Sequence, residues 1–346
     1  MRQVSEYSAK QLTPERLMQF AWGYAIPLII EAALKHCVFD VLDAGPKTIE
    51  QLGRETGASA RGLRAILDAL VSVELLGKEG DAYALVPESA QFLVSTRSSF
   101  HGGIFRHISA QLLPNWMQLD ETVRTGKPAR SVNRDKDGPA FFEQFVEDIF
   151  PMSYRAAQTL GDALKLSDVR QPVNVLDIAA GSGVWGISLA QKSPHVRVTA
   201  VDWHEVIPVT RRVAKRFGVD DRFRYIEGDI QKVDLGSGYQ VATLGHILHS
   251  EGATRSQLLL KRVFDALSPG GTIAISEFTP NEDRSGPPNT LIFAVNMLVN
   301  TDEGDTFAFS EVRSWLHDAG FGDVRLLEAT APSPLILASK PMVTCH

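Results

Sequence analysis

Val175-Leu176-Asp177-Ile178-Ala179-Ala180-Gly181-Ser182-Gly183-Val184-Trp185-Gly186 is an apolar run that ends on a carboxylate and then breaks into small residues and glycine. The pattern predicts a buried strand, a tight turn and a helix start, where backbone can approach a ligand closely because side chains are missing. Gly181, Gly183 and Gly186 fit the dinucleotide pattern G-x-G-x-x-G. A pyrophosphate, however, wants backbone N–H groups and a helix N-terminus, and Asp177 would set negative charge beside two phosphates. S-adenosylmethionine carries an ammonium and a sulfonium and no phosphate, so an acidic strand end beside a glycine turn suits it. The stretch therefore reads as a methyl-donor site, with Asp177, Ala179, Gly181 and Gly183 against the donor.

Downstream, apolar segments alternate with helical ones. Strands are expected at 173–178, 196–201, 223–226, 241–244 and 272–278, and helices near 184–192, 205–217, 254–267 and 310–319. This grammar predicts an α/β, Rossmann-like, mostly parallel seven-stranded sheet with helices on both faces. Segments 324–329 and 335–339 read as a closing antiparallel pair. Upstream, 14–43 has helical spacing that starts at Thr13-Pro14, and it is apolar on most faces, so it should be buried nearly all round or packed on a second copy of itself. A helix from Thr48, a turn at 57–59, a second helix to Val71 and a short hairpin through Tyr83-Ala84-Leu85 make a winged-helix-like unit. The expected division is 1–100 for that mainly α unit, 101–165 for a helical, aromatic-rich linker, and 166–346 for the donor-binding domain.

Several residues at expected strand ends carry chemistry. Asp202 follows Gly183 by nineteen positions, a distance suited to an acid that accepts bonds from ribose hydroxyls. Trp203 beside it is placed to cover an adenine face, and Asp229 with Ile230 follows the third strand, where an acid would meet the adenine amino group. The fourth strand runs into Gly245-His246-Ile247-Leu248-His249. Two histidines three apart invite a metal reading, but no third ligand is near in sequence, and no metal is expected. His249 is better placed as a general base, since an imidazole with an ordinary pKa near 6.5 can take the proton of an attacking hydroxyl. Glu277, at the end of the next strand, could orient it through its other ring nitrogen.

Taken in order, the Asp-Ile-Ala-Ala-Gly-Ser-Gly turn, Asp202, Gly228-Asp229, Ile247-Leu248-His249, Leu267-Ser268-Pro269-Gly270-Gly271 and Ser276-Glu277 give a chain that resembles the S-adenosylmethionine-dependent O-methyltransferases of the caffeic acid type, in their bacterial branch. The resemblance spans nearly the whole chain and implies a homodimer through the N-terminal domain. It also implies His249 as base, Glu277 as its acidic partner, and Asp202 and Asp229 as holders of ribose and adenine. The family's acceptor pocket maps onto Phe145, Met152, Ser153, Asn296 and Met297, with His107 and Trp116 as further candidates. This chain has His249-Ser250-Glu251 where the family usually has His-Asp-Trp, Gly245 where plant members have a lysine, and Thr306 near a second catalytic glutamate of plant members. Glu251, Glu303 and Asp305 are the carboxylates that could stand in.

The implied reaction moves a methyl group to a hydroxyl of a small, aromatic or polyketide-like acceptor, in secondary metabolism. Methylation at nitrogen or carbon, non-methylating rearrangement or decarboxylation, and NAD-linked oxidation are the competing readings. Composition narrows the rest. The chain has 346 residues, 44% apolar and 22% charged, with a net charge of −6, which offers no general attraction to nucleic acid or anionic membrane. Between Lys47 and Glu88, five basic residues face seven acidic ones, against duplex binding by the winged-helix-like unit. Cys37 and Cys345 form no framework, no segment reads as a signal or a span, and a cytoplasmic setting is expected.

Overall fold

The computed structural model describes residues 13–132 and 138–342; the first residues of the chain and Cys345 lie outside them. Two compact units divide at Ala110 and Gln111.

In the first unit the expected helix over 14–43 is three helices, Glu15–Ala21, Ala25–Lys35 and Val38–Leu42, the last preceded by Cys37 in a left-handed conformation (φ 53°). Ile30, Ala33, Val38 and Phe39 enter the unit's core, whereas Leu17, Phe20 and Trp22 are 70%, 68% and 66% exposed. Burial all round is thus not achieved within one chain. By length and composition alone, Glu15–Lys35 is apolar enough to cross a membrane, contrary to the reading of its sequence. Thr48 then starts the helix Ile49–Thr56 with a capping box: its hydroxyl accepts from Gln51 N, and Gln51 Oε1 accepts from Thr48 N at 2.8 Å. The helix Ala60–Ser72 follows, and strands β1 (Lys47–Thr48), β2 (Leu76–Glu79) and β3 (Ala82–Leu85) form an antiparallel sheet in the order β1-β3-β2.

The second unit holds a seven-stranded sheet of β4 (Val173–Ile178), β5 (Val196–Asp202), β6 (Phe223–Glu227), β7 (Tyr239–Gly245), β8 (Leu267–Ser276), β9 (Gly322–Leu327) and β10 (Leu335–Ser339), in the order β6-β5-β4-β7-β8-β10-β9. The first five are parallel, and β10 pairs antiparallel with β8 and β9. Strand side chains alternate between two cores. Val175, Val198 and Val241 pack with Leu160, Ile187 and Val209, whereas Leu176, Val201 and Ala242 pack with Leu259, Leu260 and Leu316. The Leu267–Gly271 segment, expected as a turn before the strand, is the irregular start of β8, with a register shift opposite Tyr239 and Val241. The helix Pro288–Asn300 has no counterpart in the expected elements. The chain order reverses direction across the sheet between β4 and β7, and the crevice outside their carboxyl ends is where an open α/β sheet takes its ligand.

Candidate active site

Every parallel strand delivers a polar or strained residue to that edge. Ala179 after β4 and His246 after β7 both hold left-handed backbone, at φ 52° and 60°, which non-glycine residues adopt only when their surroundings impose it. Gly183 (φ +79°) opens the helix Val184–Lys192, and a Cβ there would meet Thr210 Cγ2 at 2.9 Å. It therefore shapes the turn, whereas Ala179 and Gly181 line a cavity of about 310 Å³ in the second unit.

Asp177 does not reach that cavity. It shares the face of Val175, so its side chain runs beneath the helix Val184–Lys192 and is fully buried. Oδ2 accepts from Gly186 N at 2.9 Å and Oδ1 accepts from the Thr243 hydroxyl at 2.7 Å. Burial pushes its pKa up to about 7, against the pull of those two hydrogen bonds. Asp177 is a brace for the turn, and the expectation that it touches the donor is corrected.

The acidic wall comes from elsewhere. Asp202, Trp203, Asp229 and Ile230 all line the cavity. Asp202 accepts from Gly181 N and Trp203 N, both at 2.7 Å, which fixes its carboxylate against the glycine turn. Desolvation raises its pKa to about 6. Asp229 behaves oppositely: burial raises it, but the Gln231 N–H and the Lys232 ammonium outweigh that and hold it below the usual carboxylate range. Glu251 also lines the cavity and accepts from Gln231 Nε2 at 2.7 Å and Arg255 Nε at 2.8 Å. Among the described residues Arg255 is the one Lys or Arg on the wall, and it is tied to Glu251. With Glu251 and Arg255 paired, Asp202 and Asp229 leave the wall acidic, which suits a cationic nucleoside and opposes a pyrophosphate. The site thus fits S-adenosylmethionine by its charge.

At the far end stands the His249–Glu277 pair. His249 Nδ1 lies 2.7 Å from Glu277 Oε2, and the side chains are 10% and 4% exposed. Glu277 Oε1 also accepts from the backbone N–H groups of Leu248 (2.7 Å) and His249 (3.3 Å). Burial would raise the Glu277 pKa, but the charge and hydrogen bond of His249 outweigh it, and the carboxylate stays ionised. Glu277 itself sits behind His249, off the cavity wall. His249 meets Phe293 edge-on at 4.9 Å, and Phe293 stacks on Phe278 at 4.0 Å. His246, His249 and Glu277 place one ligand atom each within 4.8 Å of one another, a grouping that could hold a metal ion and that sequence spacing did not bring out, since its third member lies on another strand.

The structure brings Phe145, Ser153, Asn296 and Met297 to this cavity; Met152 is 38% exposed and off it, and His107 belongs to the first unit. Trp116 acts through Asn296, whose Oδ1 accepts from its indole N–H at 2.9 Å. Asp305 donates its backbone N–H to His249 O at 3.0 Å, but its carboxylate is held by Arg284 at 2.9 Å; Glu303 is exposed and Thr306 is buried, and none of the three lines the cavity. Trp185, His246 and Phe293 also line the cavity and were given no such role by the sequence. One of them has a steric signature: a Cβ on Gly245 would lie 2.0 Å from Trp185 Nε1, so the missing side chain on β7 is what admits the indole.

A family profile described as the O-methyltransferase domain matches residues 116–322, and one for the O-methyltransferase dimerisation domain matches 18–95. The chain is 29% identical over 324 residues to 3-hydroxy-5-methyl-1-naphthoate 3-O-methyltransferase of Streptomyces sahachiroi, covering 92% of each. It is 29% identical over 333 residues to the tetracenomycin polyketide synthesis 8-O-methyl transferase TcmO of Streptomyces glaucescens, covering 95% of this chain and 97% of that one. The structure of PigF, a protein of a Serratia species solved with SAH, superposes with a TM-score of 0.80 at 26% identity, covering 95% of this chain and all of PigF.

Proposed function

This chain belongs to the O-methyltransferase family and is an S-adenosylmethionine-dependent O-methyltransferase, and from that premise we propose how and on what it acts. The acceptor is a small, flat, hydroxylated aromatic or polyketide-like molecule, His249 is the general base, and the working form is a homodimer. The observation that carries the reading is the 2.7 Å contact between His249 Nδ1 and Glu277 Oε2, with His249 on the cavity wall.

When bound, the donor supplies an electrophilic methyl carbon. Asp202 and Asp229 would hold its ribose and adenine ends, and Trp203 would cover the base face. Glu277 keeps the proton of His249 on Nδ1, which leaves Nε2 with a lone pair to take the hydroxyl proton as the oxygen attacks. The ionised Glu277 then stabilises the imidazolium. Phe145, Met297 and Phe293 supply an apolar bed that orients a flat ring and keeps water from the reacting oxygen.

The dimerisation profile and the exposed Leu17, Phe20 and Trp22 support a second copy over the N-terminal helices, which would also cover the apolar stretch Glu15–Lys35. The helix, turn, helix and hairpin there serve as a winged-helix-like dimerisation unit. The polyketide and naphthoate relatives support a place in secondary metabolism.

The test is a panel of hydroxyaromatics incubated with S-adenosylmethionine, with SAH release and product mass as readouts and NAD in parallel thermal-shift wells. An O-methyl ether from an aromatic hydroxyl is expected. Methyl on nitrogen or carbon, or stabilisation by NAD instead of the methyl donor, overturns the proposal.

A further inference from the structure

Glu251 is not used by the chemistry above, yet it is built into the cavity wall. It is 7% exposed and stands on the helix Leu248–Ala266, just before the backbone departs from helical geometry at Gly252 (φ 75°). Both side-chain hydrogen bonds that it accepts fall on one oxygen, since Oε2 takes Gln231 Nε2 at 2.7 Å and Arg255 Nε at 2.8 Å. Oε1 accepts from no described residue, and it keeps accessible surface. In a side chain so deeply buried on a cavity wall, that surface opens on the cavity. A carboxylate only accepts, so its second oxygen is left for an N–H or O–H of the ligand.

The residues that hold Glu251 also hold Asp229. Gln231 donates its backbone N–H to Asp229 Oδ1 at 2.9 Å, and the Arg255 guanidinium lies 3.9 Å from the same oxygen. Glu251 therefore stands at the adenine end of the cavity, with its orientation set by those two neighbours. The donor offers few hydrogens there. Its ribose hydroxyls are at Asp202, its ammonium is on the methionine arm, and the exocyclic amino group is the N–H source on an adenine whose ring nitrogens otherwise accept. That group carries two N–H bonds, one for each of the two acids.

We infer that Glu251 is a specificity-determining residue for the methyl donor, whose Oε1 accepts from the exocyclic amino group of adenine and so selects a 6-amino purine over a 6-oxo one. The inference rests on the adenine lying beside Asp229, as proposed above. It takes Glu251 from the carboxylates that could act as a second catalytic acid and gives it to the nucleoside.

The experiment measures by calorimetry the affinity of the full chain for SAH and for S-inosylhomocysteine, in which an oxo group replaces the amino group and N1 carries a proton. An oxo group set against Oε1 is acceptor against acceptor, so the wild type should bind the inosine analogue about tenfold or more weakly than SAH. In Glu251→Gln, Gln231 and Arg255 still donate, so the amide oxygen takes the place of Oε2 and the amide N–H groups take the place of Oε1. This variant should bind SAH about tenfold more weakly and the inosine analogue more tightly than wild type does, which brings the two close to parity. A brace alone would weaken both ligands alike. Thermal unfolding shows that each variant is folded; if Glu251→Gln is not, Glu251→Ala takes its place and should lower the preference by weakening SAH alone. Asp229→Asn is measured alongside. Equal binding of the two nucleosides by the wild type, or an unchanged preference in the Glu251 variant, overturns the inference. If Asp229→Asn then lowers the preference, adenine still lies at this end and only the role of Glu251 falls; if neither variant moves it, the placement of adenine falls as well, and O-methyl transfer stands in both cases.

Discussion

Replacing Asp177 by Asn separates a structural brace from a donor contact. Its carboxyl is fully buried, and its pKa stands at about 7 against an ordinary 3.8. Burial is the largest cause; the Thr243 and Gly186 hydrogen bonds oppose it, and Asp202 adds to it. The folded state therefore keeps a proton that the unfolded chain has already lost between pH 3.8 and about 7. Stability is fully present below the lower value and falls as pH rises through the window. Three units correspond to roughly 4 kcal/mol lost at pH 8. Asn cannot ionise. Its Oδ1 can still accept from Gly186 N, while its amide N–H can meet the Thr243 oxygen. Allowing for the extra buried donor, Asp177→Asn should gain roughly 2 kcal/mol over wild type at pH 8 and nothing near pH 4. Urea unfolding at the two pH values measures the difference, and calorimetry with SAH at pH 8 measures donor affinity, which should stay as in wild type. Asp177→Ala, which strands both donors beside a void, should instead lose about 2–4 kcal/mol. A collapse of SAH affinity in Asp177→Asn without a change in stability would refute this reasoning and return Asp177 to the ligand.

Three further outcomes follow from the same geometry. His249→Ala should lower kcat by about a hundredfold or more with SAH affinity intact, and Glu277→Gln, which keeps a partner for Nδ1 but loses the charge, should fall between it and wild type; single-turnover rates and calorimetry decide, and equal loss of donor binding would make His249 a cofactor contact. Donor affinity should weaken as pH falls through about 6, because protonation of Asp202 removes acceptor capacity from the ribose site; Asp202→Asn should bind the donor about tenfold more weakly and flatten this dependence, and a profile unchanged in the variant would count against the assignment. Leu17→Glu with Phe20→Glu should convert a dimer to a monomer in size-exclusion chromatography with light scattering, and an unaltered mass would remove those helices from the interface.

What the sequence made legible depended on how local each signal was. The strand and helix alternation of the second unit is written in periodicity, so β4, β5 and β10 fall within a residue of where the pattern put them. Asp202, Asp229, His249 and Glu277 follow from it, because the end of a parallel strand in such a sheet is at the ligand edge whatever the side-chain contacts. Asp177 was misplaced for a reason the same periodicity contains: two residues from Val175, it must share that residue's face and point under the helix Val184–Lys192. Charge at a strand end was given weight that its register did not support. The helix Pro288–Asn300 escaped because Leu291-Ile292-Phe293-Ala294-Val295 has no polar stripe to set a period, and with it went Phe293. Trp185 and Gly245 are a harder case, since a missing side chain on β7 and a bulky one sixty positions earlier become one feature only when the strands are laid side by side. His246 lies between these extremes. Its spacing from His249 was visible, but what sets the two apart is their partners, which lie on another strand: Glu277 has taken Nδ1 of His249, while Nδ1 of His246 is buried with no hydrogen-bond partner among the described residues.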